Sequence, residues 1–208
     1  MFALVNKSNN SIIKMYDGNK GVLIDDNQYP QSIFTLWSES ERNAIDVYTV
    51  EMDESKKKSE QWYVNTDVTY AFDGSKVTGS YGDATARAHA DTKWTQSEID
   101  AGEAPEGADT NTVKVEGLKT KLIRDVKNQA QSELGKTDWY IVRKADTDEA
   151  VPSAIATHRA AVRSKQASME TAITNASDTP ALETLYTYTE QEDKSVTRPL
   201  GELPTLED

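Results

Sequence analysis

Cysteine is absent from all 208 residues, which excludes disulfide staples, thiolate metal ligands and a cysteine nucleophile. Histidine occurs only at positions 89 and 158, too few and too far apart for an imidazole cluster. No apolar run approaches the roughly 20 residues of a membrane span. Met1-Phe2-Ala3-Leu4-Val5-Asn6-Lys7 has neither the basic start nor the apolar length of a signal peptide. The expectation is a protein made, and soluble, in a cytoplasm. Phosphate-cradling glycine motifs are missing as well. Apolar residues make up 37% of the chain and the mean hydropathy is -0.69, which allows one modest core and much surface. A net charge of -12 argues against nucleic acid or an anionic membrane as partner.

That charge is uneven. Basic against acidic residues number 10 against 19 over 1–112, 11 against 8 over 113–175, and 2 against 8 over 176–208, giving -9, +3 and -6. A mildly basic middle lies between acidic flanks. Residues 1–85 carry short apolar runs (Phe2–Val5, Ile12–Tyr16, Val22–Ile24, Val47–Val50, Gln61–Val64, Val68–Phe72) separated by turn-forming clusters, the pattern of a small antiparallel β-rich domain. Asp73-Gly74 is the clearest hairpin signal, and Ser38 with Glu41 forms a capping box that starts a short helix. Residues 86–112 are rich in Ala, Asp, Glu, Gly and Thr, with Trp94 as the only large anchor, and read as a linker or excursion loop.

Val115, Leu118, Leu122, Val126, Ala130 and Leu134 recur at helical spacing, with Gly135 placed as a C-cap. A second helix restarts at Pro152 and carries Ile155, Val162, Met169 and Ile173 on a thin stripe. The segment 113–175 is therefore expected to be an antiparallel helical hairpin, with helices at about 113–134 and 152–175 and Trp139 buried at the joint. Residues 176–208 read as an extended acidic tail holding one strand-like run, Leu185–Tyr188. The fold class is α+β.

Chemistry finds little footing. His158 on a helical stripe is a packing residue before it is a base. Asp25-Asp26 and Asp146-x-Asp148-Glu149 look like turns, and the second lacks the glycine and terminal glutamate of a calcium loop. Lys56-Lys57-Lys58 is flanked by acids and reads as a solvated loop. No enzyme, cofactor or metal is expected. Trp37, Trp62, Tyr63, Tyr70 and Tyr81 fall in the β-rich half, where core packing competes with a carbohydrate platform. Trp139 and Tyr140 either plug the helix joint or touch a partner. Arg143, Arg159 and Arg163 either form specific ion pairs with the acidic flanks or line a solvated face. Tyr186 and Tyr188 are anchors for a tail that orders on a partner.

The run Leu134-Gly135-Lys136-Thr137-Asp138-Trp139, then Arg143, Val151-Pro152 and Arg159-Ala160-Ala161-Val162-Arg163, resembles the C-terminal region of phage tail fibre assembly proteins and related tail proteins. The β-rich half, with Tyr29-Pro30-x-x-Ile33-Phe34, Trp37-Ser38 and Ala44-Ile45-x-Val47-Tyr48, looks like phage tail accessory domains. The resemblance implies a non-enzymatic structural component of a virion tail. Its partners would be fibre, baseplate or tail tube and nozzle proteins, and further copies of itself in a homo-oligomer. The alternatives are a tail fibre assembly chaperone that is not retained in the virion, and a glycan-binding module. Segments 85–111 and 178–208 are expected to be mobile in the free monomer and ordered on neighbouring subunits.

Overall fold

Period-two apolar patterning in the first 85 positions and period-3.6 patterning after residue 117 give an α+β fold in the computed structural model, which describes residues 1–206. The last two positions of the expected tail, 207–208, lie outside the described residues. The chain divides into two compact units, Met1–Thr85 and Ala86–Asp208.

In the first unit β1 (Phe2–Asn6) and β2 (Ser11–Tyr16) form a hairpin, as do β3 (Val22–Ile24) and β4 (Asn27–Tyr29). Asp25 and Asp26 take the positive φ (47° and 65°) that a two-residue primed turn requires. After a 3-10 turn at Gln31–Phe34 comes α1 (Glu39–Ala44), whose capping box is complete: the Ser38 hydroxyl accepts from the Glu41 N–H, and the Glu41 carboxylate accepts from the Ser38 N–H at 2.7 Å. Then follow β5 (Val47–Asp53), β6 (Tyr63–Val64), β7 (Thr69–Phe72), β8 (Val77–Ser80) and, at the unit boundary, β9 (Thr85–Ala86). At the β7–β8 turn Gly74 has φ 96°. The Asp73 carboxylate there accepts backbone N–H groups of Lys76 and Ser75, which hold its pKa down to about 2.

The main sheet runs β2-β1-β5-β8-β7. One pair corrects the antiparallel expectation: β5 and β8 are parallel, with Val50 opposite Val77 and Asp53 opposite Ser80. The chain leaves β5, crosses over through residues 54–68 and returns by the β7–β8 hairpin, which sets the second hairpin strand beside β5. Such a pairing depends on no local turn signal. Both sheet faces are buried. Ala3, Val5, Tyr48, Val50, Phe72 and Val77 pack on one, and Tyr16, Ile33, Phe34 and Val47 with Val22 and Ile24 on the other. Val47 and Tyr48 show the alternation that divides a strand between two cores. Several aromatics are spent on this packing: Tyr48 and Phe72 lie 4.9 Å apart, and Tyr29 and Trp37 meet edge-on at 6.0 Å; Trp62 and Tyr63 are buried outside these two clusters.

The second unit holds β10 (Thr92–Lys93), α2 (Gln96–Asp100), β11 (Val113–Val115), α3 (Leu118–Gly135), α4 (Asp138–Thr147), α5 (Ser153–Asn175), α6 (Thr179–Tyr186), β12 (Thr189–Glu190) and β13 (Val196–Thr197). Leu118, Leu122, Val126 and Ala130 of α3 are buried, as are Ile155, Val162, Met169 and Ile173 of α5. The two helices run antiparallel. Lys119 Nζ donates to Thr174 O at 2.7 Å near one end, and Arg159 Nη1 donates to Leu134 O at 2.6 Å near the other.

Residues 86–112 correct the linker expectation. β10 pairs with β11, and α2 has its own capping box between Thr95 and Glu98. The Lys114 ammonium, 2.5 Å from Glu98, holds that carboxyl down to about 2, and also lies 4.6 Å from the centre of the Trp94 ring. No residue of α2 is buried, so polar bonds rather than a hydrophobic stripe shape this stretch. It also caps α3. Gly117 has no side chain to offer; the Ala88 and His89 carbonyls accept from the Leu118 and Lys119 N–H groups at 3.0 and 2.9 Å, and the Asp91 carboxylate accepts from Gly117 N–H at 2.7 Å and from the Thr120 hydroxyl at 2.8 Å. A Cβ at Gly117 would meet the Ala90 carbonyl carbon at 2.3 Å, so this approach needs glycine.

The acidic tail is corrected too. Leu185 and Tyr186 belong to helix α6, not to a strand. Asp178 caps the helix by accepting from Ala181 N–H at 2.8 Å, Pro180 lies in its first turn, and Leu182 is fully buried. Further on Leu200 is buried, and its carbonyl accepts from Lys165 Nζ at 2.8 Å. The tail therefore packs on the helices of its own chain. The helical spacing of Leu182, Leu185 and Tyr186, with a capping Asp before Pro, outweighs the β propensity of Leu-Tyr-Thr-Tyr.

Candidate functional site

The segment between the two long helices is built around one buried guanidinium. Arg159, on the first turns of α5, has its side chain only 7% exposed. Its Nη1 donates to Leu134 O at 2.6 Å, to Thr137 Oγ1 at 2.7 Å and to Asp138 Oδ1 at 2.8 Å. Thr137 is buried as well, and both its N–H and its hydroxyl turn back to Leu134 O. The last turn of α3 is thus closed by a hydroxyl and a guanidinium. Gly135 is helical, with no positive φ, which corrects its reading as a C-cap. The Thr137-Asp138 dipeptide and Arg159 form one unit: the sequence spacing of 21 to 22 residues is the path out along α4 and back onto α5.

Where a bare joint was expected, Asp138–Thr147 is a helix, with Asp138 in its first turn and Lys144 in its last, as the helix dipole favours. It ends at Asp148 in the left-handed conformation, φ 58°. No residue of α4 is buried. Trp139 is 64% exposed, which corrects its placement inside the joint. The polar cluster around Arg159 fills that space, and α4 leans on the body through its half-buried residues Tyr140 and Arg143. The remaining surface of α4 presents Trp139, Val142 and Ile141 to solvent.

The other expected residues separate into distinct roles. Arg143 pairs with Glu149 at 3.2 Å and lies 5.3 Å from the Tyr140 ring centre, while Arg159 takes Asp138. Both partners come from the helical segment itself, so the ion pairs expected with the acidic flanks are not formed by these residues. Arg163 is exposed and has no ion pair among the described residues. Tyr186 and Tyr188 flank Arg198, whose guanidinium carbon lies 5.1 and 5.2 Å from their ring centres. Burial pushes the Tyr186 hydroxyl up to about 12, and the Tyr188 hydroxyl donates to Glu202 at 2.6 Å. These two rings secure the tail, and of the pair only Tyr188 offers much open surface.

One polar cluster escaped sequence reasoning. The buried carboxylate of Glu133 meets Lys136, lies 3.4 Å from His158 Nε2 and accepts the Leu206 N–H at 3.1 Å. The Lys136 ammonium holds the Glu133 carboxyl below its ordinary value. Its signal in the sequence was an acid on the apolar stripe of α3, three positions after Ala130. Among the described residues no group of three or more His, Asp or Glu is arranged to hold a metal ion, and no helix is long and apolar enough to cross a membrane. In comparisons with known proteins, no family model, no curated protein and no solved structure matches this chain.

Proposed function

We propose that this chain is a non-enzymatic structural component of a bacteriophage tail, binding fibre, baseplate or tube neighbours through its helical unit. The observation that carries this reading is the exposed apolar surface of α4, where Trp139 (64% exposed) and Val142 (59%) share one side and Ile141 (42%) lies on another. This surface falls in the stretch whose sequence resembles tail fibre assembly proteins. Tryptophan is over-represented among residues that dominate binding energy, and exposed apolar patches on folded proteins mark interaction sites. Arg159 fixes the elbow from which α4 projects, so docking on this face orders little that is not already ordered. Arg163 and Tyr188 are the accompanying polar contacts in this proposal. Copies of the chain would sit side by side in the virion tail, after synthesis in the host cytoplasm.

Quantitative mass spectrometry of purified particles tests this. The proposal expects the chain at a fixed stoichiometry with the other tail proteins. Its absence from particles, with the chain bound to fibre protein in infected cells, would overturn it in favour of an assembly chaperone.

A further inference from the structure

In the first unit two unpaired strand edges line the same recess. Within the sheets β2 pairs only with β1, and β3 only with β4. Val5 N–H donates to Asp46 O, and Met1 O accepts from Val50 N–H. Odd-numbered residues of β1 therefore turn their backbone groups towards β5, and even-numbered ones towards β2. Phe2–Tyr16 and Leu4–Lys14 are then the hydrogen-bonded pairs, and Met15, opposite Ala3, directs its N–H and C=O to the outer edge. In the second hairpin the two-residue turn makes Ile24–Asn27 the closing bonded pair. Leu23, opposite Gln28, likewise directs its N–H and C=O outwards. Among the described residues no other backbone bond engages Met15 or Leu23.

Both residues line a recess of about 520 Å³, together with Lys14, Lys20 and Val22. That volume is in the range of ligand-sized clefts. The charges around it are distinctive. Lys7, Lys56, Lys57 and Lys76 each have a carboxylate within 3.1 Å. Lys14 and Lys20 have none among the described residues, although the unit carries 13 acidic against 8 basic residues. Lys58 shares this condition in the unit, but it lies over the Tyr63 ring, away from the recess lining. Lys14 Nζ rests 5.5 Å from the Tyr16 ring centre. The recess has one carboxylate, Asp17, and Asn19 already occupies it through side-chain and backbone N–H bonds at 2.7 and 3.3 Å. Leu23, which lines the recess with the two lysines, is 60% exposed.

We infer that this recess receives an extended acidic segment of a partner protein, which adds as a strand between β2 and β3. Its main chain bonds the free groups of Met15 and Leu23, its acidic side chains meet Lys14 and Lys20, and an apolar residue at an alternate position covers Leu23. Strand addition draws affinity from main-chain bonds and selectivity from alternate side chains. This inference stands on the first unit alone and does not depend on the tail reading.

The test uses the full chain, isotopically labelled for NMR, and a capped hexapeptide alternating glutamate and valine, with its lysine–valine counterpart as control. The glutamate peptide is expected to shift the Met15 and Leu23 amides saturably and to slow their hydrogen exchange, while the lysine peptide does neither. Lys14→Glu with Lys20→Glu, both exposed positions, should weaken the binding by roughly tenfold or more and leave the rest of the spectrum in place. Equal binding of both peptides, an unchanged affinity in the double variant, or no response at Met15 and Leu23 would each overturn the inference. So would protection of those amides that grows with protein concentration without peptide, since a second copy of the chain would then be the occupant.

Discussion

Replacing Arg159 by alanine removes the group that joins Leu134 O, Thr137 Oγ1 and Asp138 Oδ1. The magnitude follows from what each acceptor retains. Leu134 O keeps the Thr137 N–H at 3.0 Å and its hydroxyl at 2.9 Å. The Asp138 side chain is 61% exposed and returns to water, so its share of the pairing is screened. What is lost outright is the charge-assisted contact inside a buried site and the packing of the arginine stem. Hydrogen bonds to charged groups are worth about 1.5–3 kcal/mol, and breaking a buried ion pair costs about 3–5 kcal/mol. With two of the three acceptors compensated, Arg159→Ala should cost about 2–3 kcal/mol, and Asp138→Ala, which leaves the buried guanidinium without its carboxylate, about as much. Urea unfolding followed by far-UV circular dichroism measures both, because the long helices belong to this unit. A loss below about 0.5 kcal/mol for either variant would refute the reasoning.

Three further outcomes are expected. Trp139→Ala should change stability by no more than about 0.5 kcal/mol, since the ring is mostly in water; a loss of several kcal/mol in the same unfolding assay would return the indole to the interior. Asp91→Ala should cost about 1–2 kcal/mol by removing the acceptor of the Gly117 N–H and the Thr120 hydroxyl, read as a lowered urea midpoint and faster exchange of the Gly117 amide, with Leu118 still held by Ala88 O. The Glu133 carboxyl is held below its ordinary value in the folded state, so its contribution is full above the unfolded value and is lost as pH falls through the folded one. Acidification should therefore speed hydrogen exchange at Leu206, and Glu133→Gln should flatten that pH dependence.

Much of the fold was legible wherever a local rule governed it. Leu118, Leu122, Val126 and Ala130 mark α3 by spacing alone, Ser38 with Glu41 announces α1, and Asp73-Gly74 turns β7 into β8. Elements held by distant or polar partners were not. The first N–H groups of α3 are met by the distant Ala88, His89 and Asp91, and the parallel β5–β8 pair is non-local. Helix α4 buries nothing, so its residues lack the apolar stripe that periodicity detects, and its large side chains pointed to a buried joint instead. At the site, the sequence singled out Arg159 and Trp139 but not their roles. The partners of Arg159 are a backbone carbonyl, which no residue type marks, and Thr137 and Asp138, 21 to 22 positions away, while the exposure of an indole depends on what else fills the joint.

The central claim is that the outward face of α4 is a binding surface for a tail protein. Site-specific photo-crosslinking from position 142, on the full-length chain in cells assembling the virus, tests it most directly. The account predicts a discrete adduct with a fibre, baseplate or tube protein, lost when Trp139 is replaced by aspartate, and no adduct from the exposed position 97 on α2. No adduct from position 142, or equal adducts from both positions, would contradict it.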